Sequence, residues 1–551
     1  MMMKKNIIWM FGLAVTLTAC DVNNDLKEIS GESVPEVKLE AGTADFSKYI
    51  SVGASFTAGF TDGALFIKGQ ENSFPNILAG KFAMANGGTF SQPLMADNIG
   101  GLISSAGVAQ EPRLYFNGSG PVRLSATPTT QVGAPAAGAP GFNNYGIPGA
   151  KSFHFVAPGY GAVSGLLTNP MTANPYFVRM APSQSTVIAE VASKQPTFFT
   201  LSEIGGNDVL GYAIAGGIGV DQKDNLNPAT YGAYDITSPM VFAQVFNGMV
   251  NTLTAGGAKG VVATVPYVTS LPYFTTVPHN PLDPRTNSDL AAQLPTLNTV
   301  FGALNAIYTN PAINQPNRVV EFKADKANPV VIKDESLVDL APQIEAALNG
   351  NPQFPAFVQQ FGLPAQAAPL VANLLATTYG QTRPATANDL LVLTSRSIIG
   401  KPNVANVQAL MMKGLPQALA GQFSVEGLTL PLEDKWVLTA DETSKVKTAT
   451  DAYNATITSV ATAKGLALVD FKAILQEASS GVIFDEFSMN TSLVFGGLVS
   501  LDGVHLTGRG YALMANKILA AIDATYGSNF VKATNGLARA KDYPTNYSPD
   551  L

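Results

Sequence analysis

The chain has 551 residues, with 33 Lys and Arg against 40 Asp and Glu and a net charge of −7. No basic run and no basic patch with interleaved aromatics occurs, which excludes the usual electrostatic footprint of a nucleic-acid binder. A hydrophobic content of 46% is that of a globular protein, long enough for one large domain with insertions or for two or three ordinary ones, and 51 Gly with 36 Pro argue for long irregular connections rather than a helical bundle.

The N-terminus reads as a targeting signal. Lys4 and Lys5 precede the short apolar stretch Ile7 to Val15, too short for a stable membrane-spanning helix. It ends at Leu17-Thr18-Ala19-Cys20, and small residues before a cysteine resemble the lipobox of bacterial lipoproteins. That resemblance implies a signal peptide over residues 1–19, lipidation of Cys20, and an outer-membrane lipoprotein of a Gram-negative-type bacterium, periplasmic or surface-exposed. Cys20 is the only cysteine, so an intramolecular disulfide and a cysteine-rich metal site are both excluded. Residues 20–46 are polar, acidic and aperiodic, as expected of a tether.

The remaining elements alternate. Tyr49 to Gly53 predicts a strand, Phe74 to Phe82 a helix with proline near its start, and 89–143 a Gly/Pro/Ser/Ala-rich surface insertion. Ser185 to Ser193 predicts a helix and Pro196 to Ser202 a buried strand; Met240 to Leu253 and Gly260 to Val265 repeat the pair. Ala440 to Ala463, Gly465 to Phe471 and Gly508 to Tyr526 predict helix, strand and closing helix. Alternation of this kind argues for an α/β fold with a parallel sheet covered on both faces. Residues 270–432 are too long for a simple crossover and are expected to form an insertion or small subdomain beside the sheet, and 531–551 a C-terminal tail.

Four segments carry candidate chemistry. Asp502-Gly503-Val504-His505 places a carboxylate three residues before one of only three histidines, the side chain able to act as a base near neutral pH. Ser55 follows the first strand in Gly53-Ala54-Ser55-Phe56-Thr57-Ala58-Gly59, where a hydroxyl can face the C-terminal edge of a parallel sheet; by itself it also suits a helix N-cap. Asn207 lies in Gly205-Gly206-Asn207-Asp208 after the Phe198–Ser202 strand, as a ligand-facing amide or as an ordinary turn residue. Gly149, in Asn144-Tyr145-Gly146-Ile147-Pro148-Gly149, offers a backbone N–H or simply a Pro-Gly turn. His154, between Phe153 and Phe155, reads as packing, and no spacing pattern for a metal or a nucleotide is present.

In this order the four segments resemble the Ser, Gly, Asn and His blocks of the SGNH (GDSL-type) hydrolase family, over about residues 47–530. The resemblance implies a flavodoxin-like three-layer α/β/α fold and a serine esterase or lipase acting on a small-molecule or lipid ester, with no cofactor and no metal. It assigns Ser55 as nucleophile, His505 as base and Asp502 as its carboxylate partner. The Ser55 N–H, Gly149 N–H and Asn207 amide become the oxyanion hole. The chain departs from the pattern at Ala54, where the family usually carries an aspartate that supports the serine turn. Apolar insertions are expected to cover an acyl pocket, and the lipid on Cys20 to hold the enzyme at a membrane. Two other readings stay open: a carbohydrate esterase removing acetyl groups, and a non-catalytic lipoprotein that binds lipid or assists an outer-membrane protein partner.

Overall fold

The computed structural model describes residues 36–181 and 184–551. The signal peptide, Cys20 and the first part of the tether lie outside these residues. Five strands form the central sheet: β1 (Tyr49–Gly53), β2 (Asn144–Gly146), β3 (Phe198–Leu201), β4 (Lys259–Ala263) and β5 (Ala467–Val469). Their order is β2-β1-β3-β4-β5, and every neighbouring pair is parallel. All five carboxyl ends therefore open on one edge, where α/β folds place ligands.

Eleven helices bear on the argument. They are α1 (Ser55–Ala58), α2 (Phe74–Ala83), α3 (Val187–Ser193), α4 (Gly206–Ile214), α5 (Pro239–Thr254), α6 (Ser288–Tyr308), α7 (Ala341–Gly350), α8 (Ala368–Tyr379), α9 (Ala440–Lys464), α10 (Phe471–Ser480) and α11 (Gly508–Tyr526). Strand residues alternate between two cores, as the pleat requires. Ile50, Val52, Phe199, Leu201 and Val262 pack with α3, α5 and α9 on one face. Tyr49, Phe198, Val261, Ala263, Ala467 and Val469 pack with α2 and α11 on the other. The result is a sheet between two helical layers.

Local signals set the boundaries. Thr439 and Glu442 form a capping box at the start of α9, and Gly465, in the left-handed region at φ 60°, ends it. The sequence predicts a strand through Phe471, but β5 stops at Val469. Asp470 turns the chain instead, its side chain accepting from the Ala473 N–H at 3.1 Å and capping α10, which the sequence reading did not anticipate.

The segment read as a tether is packed from Leu39 onward. Leu39, Ala44 and Phe46 are buried beneath α11, and the Thr43 N–H donates to the Tyr526 carbonyl at 2.8 Å. This entry lies at the amino edge of the sheet: Phe46 packs edge-on against Phe198, the first residue of β3. The tail likewise folds back, burying Ala533, Ala538, Ala540 and Tyr547.

The 89–143 insertion holds two short antiparallel hairpins. Between them Arg113 is wholly buried, its Nε donating to the Asn98 carbonyl at 2.7 Å and a terminal nitrogen to the Ser548 carbonyl at 2.5 Å. The middle insertion builds its own core from α6, α7, α8 and a strand pair, with Phe301, Leu304, Ile344, Leu348, Ile332 and Tyr379 at its centre. This core runs on past 432 to Val437. Arg383 fastens it, bridging Asp334 at 2.6 Å and Asp389 at 2.7 Å. Asp389 in turn accepts from the Ala440 N–H at the start of α9. Among the described residues no helix is long and apolar enough to cross a membrane.

Candidate active site

Ser55 is the first residue of α1, directly beyond β1, and its Oγ lies 2.9 Å from His505 Nε2. His505 Nδ1 lies 2.8 Å from Asp502 Oδ2. The fold thus joins residues 450 positions apart into one hydrogen-bonded chain. The loop 500–505 is fixed on all sides. Asp502 Oδ1 accepts from the Val504 N–H at 2.8 Å, the His505 N–H at 2.9 Å and the Ser500 hydroxyl at 3.0 Å. Asp502 Oδ2 also accepts from the Gly63 N–H at 2.8 Å. Burial alone would push the Asp502 carboxyl up. The His505 imidazole and the N–H donors outweigh it and hold the group well below the usual carboxylate range. Phe60 and Phe56 pack on the His505 ring, with centroids at 4.5 and 5.6 Å.

Asn207 sits in the first turn of α4, and its Nδ2 donates to the Ala150 carbonyl at 3.0 Å. That bond orients the amide and ties it to the glycine loop. The loop is anchored further by the Ile147 N–H, which donates to the Gly53 carbonyl at 2.9 Å. Asp208 also holds it, accepting from the Ser152 N–H at 2.8 Å and the Ser152 hydroxyl at 2.7 Å. Gly149 has φ 79°, a conformation that favours glycine, and it is exposed with open space where a side chain would stand. Its N–H has no acceptor among the described residues. Ser55 and Asn207 line one cavity; Gly149 is not part of its wall, and its link to the site is through Ala150, whose carbonyl accepts from Asn207.

The cavity encloses about 110 Å³ and is almost wholly apolar, with walls that include Leu210, Val268, Leu271, Ile474, Leu475 and Met514. These come from α4, the segment after β4, α10 and α11. The insertions expected to cover an acyl pocket contribute only Leu271. The helices that complete the sheet form it instead.

His154 packs as the sequence suggests, stacked on Tyr160 at 4.6 Å with its Nδ1 accepting from the Lys151 N–H. Burial, and then Lys151, bring its pKa down to about 4. No group of three or more His, Cys, Asp or Glu suited to a metal ion occurs among the described residues.

Three acidic residues were not foreseen. Asp208 is one. Asp62 accepts from the Leu501 N–H at 3.0 Å, and its own N–H donates to Ser500 Oγ, so it braces the Asp502 loop. Glu203 accepts from the Ala54 N–H at 2.6 Å and the Thr57 N–H at 2.9 Å. No sequence pattern links Glu203 with position 54. The only signal was the unexplained Ala54, a serine turn with no acidic residue of its own.

Comparison with family models, with curated proteins and with solved structures gives no match for this chain.

Proposed function

We propose that this chain is a serine ester hydrolase of the SGNH type. The observation that carries the reading is the Ser55–His505–Asp502 chain, with bonds of 2.9 and 2.8 Å at the carboxyl edge of a parallel sheet. The strand order, with β2 and β1 on one side and β3, β4 and β5 following in sequence, agrees with the flavodoxin-like class of doubly wound folds. The four blocks supply the finer assignment.

The Ser55–His505–Asp502 chain supports the following chemistry. His505 Nε2 takes the Ser55 proton as Oγ bonds to the ester carbonyl carbon. Asp502 holds the Nδ1–H tautomer and stabilises the imidazolium. The carbonyl electron pair moves onto oxygen, where the Ser55 and Gly149 N–H groups and the Asn207 amide receive it. His505 then protonates the leaving alkoxide as its bond to carbon breaks. A water then gives its proton to His505 as its oxygen bonds to the acyl carbon; the carbon–Oγ bond breaks, His505 returns the proton to Ser55 Oγ, and the acid leaves.

The apolar cavity beside Ser55 favours a substrate with an extended hydrocarbon acyl group over an acetylated sugar, because it removes methylenes from water at about 0.8 kcal/mol each. The lipobox resemblance adds attachment to a membrane through lipidated Cys20. The test is a p-nitrophenyl ester series from acetate to palmitate on wild type and Ser55→Ala, with fluorophosphonate labelling. Labelling of wild type alone and a rate optimum beyond butyrate are expected. No labelling of folded wild type would leave a binding protein, and activity on acetate alone would restore the carbohydrate esterase reading.

A further inference from the structure

The turn that presents Ser55 contains no acidic residue, yet two of its backbone N–H groups, at Ala54 and Thr57, converge on a single oxygen, Glu203 Oε1. Glu203 comes from the end of a different strand, β3, through the loop that leads into Asn207. It is held in the left-handed region at φ 50°, which a non-glycine residue seldom adopts, and such conformations persist where surrounding contacts fix them. The space is built for it: a Cβ on Gly53 would lie 2.6 Å from Glu203 Oε1 and 2.1 Å from Thr57 Oγ1, so residue 53 must be glycine for the carboxylate to reach the turn. The second carboxylate oxygen, Oε2, is buried and has no hydrogen-bond partner among the described residues.

We propose that Glu203 is the positioning residue of the nucleophile, a carboxylate supplied from β3 that clamps both ends of the Ser55 turn and thereby aims Ser55 Oγ at His505 and leaves the Ser55 N–H free for the oxyanion. The clamp joins two halves of the site. Ala54 and Thr57 flank Ser55, and Glu203 stands four residues before Asn207, so nucleophile and amide donor are held through one side chain. Burial pushes the Glu203 carboxyl up to about 7, against the lowering effect of its Thr57 and Ala54 bonds. Among the described residues the Glu203 carboxylate hydrogen-bonds only to this turn.

This inference rests on the assignment of Ser55 as nucleophile, and the experiment separates the two. Folded wild type, Glu203→Gln, Glu203→Asp and Glu203→Ala are titrated with a fluorophosphonate, and kcat and KM are measured on a short aryl ester per titrated site. Loss of labelling in wild type would defeat the Ser55 assignment, not the clamp alone. With wild type labelled, Glu203→Ala is expected to lower kcat and the labelling rate by about 10²-fold, the range of a lost oxyanion donor, with KM within about threefold. Glu203→Gln, which keeps an acceptor oxygen at the same reach, should recover most of that loss. Glu203→Asp, one methylene short of the two N–H groups, should not. If Glu203→Ala fails to fold, the contrast between Gln and Asp decides. Variants that differ from wild type in melting temperature but not in kcat would overturn the proposal and leave Glu203 a packing residue.

Discussion

Replacing Asp502 by Asn is the sharpest perturbation of the site, because the volume is unchanged and the chemistry is not. Asp502 accepts five hydrogen bonds: three at Oδ1, from Ser500, Val504 and His505, and two at Oδ2, from Gly63 and the His505 ring. Every one of these partners presents a proton. An asparagine must point its NH₂ at one of the two sets, and either way it meets backbone N–H donors with no acceptor to offer. If the amide nitrogen faces Gly63 and the ring, His505 must carry its proton on Nε2, where it can no longer take one from Ser55. If it faces Val504 and His505, two buried N–H groups lose their acceptor, at about 1–3 kcal/mol each. The expected loss in kcat is on the order of 10⁴, the scale of a wrong-tautomer histidine. Because the folded carboxyl titrates below its unfolded value of about 3.9, the stability it contributes is present above that pH and lost as pH falls further. The gap in melting temperature between wild type and Asp502→Asn should therefore be full at pH 7 and begin to narrow as pH falls below about 4. The assay is kcat on a short aryl ester per fluorophosphonate-titrated site, with melting curves from pH 3 to 8. An Asn variant within tenfold of wild-type kcat would refute the role of the carboxylate.

Other outcomes follow from other parts of the molecule. Asn207→Ala is expected to lower kcat by about 10²–10³ with little change in melting temperature, since the one side-chain bond it makes among the described residues is to the Ala150 carbonyl; unchanged turnover of the purified variant removes Asn207 from the oxyanion hole. Burial, with Asp502 nearby, raises the Asp62 carboxyl to about 7, so the folded chain binds a proton there that the unfolded chain has released. Wild type should lose stability as pH climbs from about 4 to 7, and Asp62→Asn should flatten that slope; parallel melting profiles would show that Asp62 is not the source. Arg383→Met leaves Asp334 and Asp389 facing each other without their cation, and removing one partner of a buried pair costs about 3–5 kcal/mol. Proteolysis should then cut first within the middle insertion while kcat per titrated site on a short ester holds; equal protection of the insertion in both proteins would contradict this.

The sequence made some layers legible and not others. Strands and long helices announced themselves through alternation and caps: β1 and α11 run as predicted, and α5 and α9 differ by a residue or two. Ser55 and Asn207 stood out because each follows a strand in a glycine-rich turn, and Asp502 and His505 because a carboxylate stands three residues before one of only three histidines. What stayed hidden was contact between distant polar groups. Glu203 with Ala54, Asp62 with Leu501 and Arg113 with Ser548 pair residues whose partners are backbone atoms, and a backbone atom leaves no mark in the amino-acid letters. The packing of the segment from Leu39 and of the tail to Tyr547 was also not legible. Their apolar residues are too sparse for periodicity, although Phe46 and Tyr547 each fill a buried place.

The parallel sheet gives the molecule two poles. The chain enters at the amino pole, where Phe46 meets Phe198 and Thr43 is bonded to the last turn of α11. Ser55 and its cavity stand at the opposite pole, one strand length away, about 17 Å for five residues. The described chain therefore joins the domain at the pole away from Ser55 and its cavity. The mouth of the cavity is thus left clear of the segment by which the described chain enters the fold, and anything bound there meets the carboxyl pole alone.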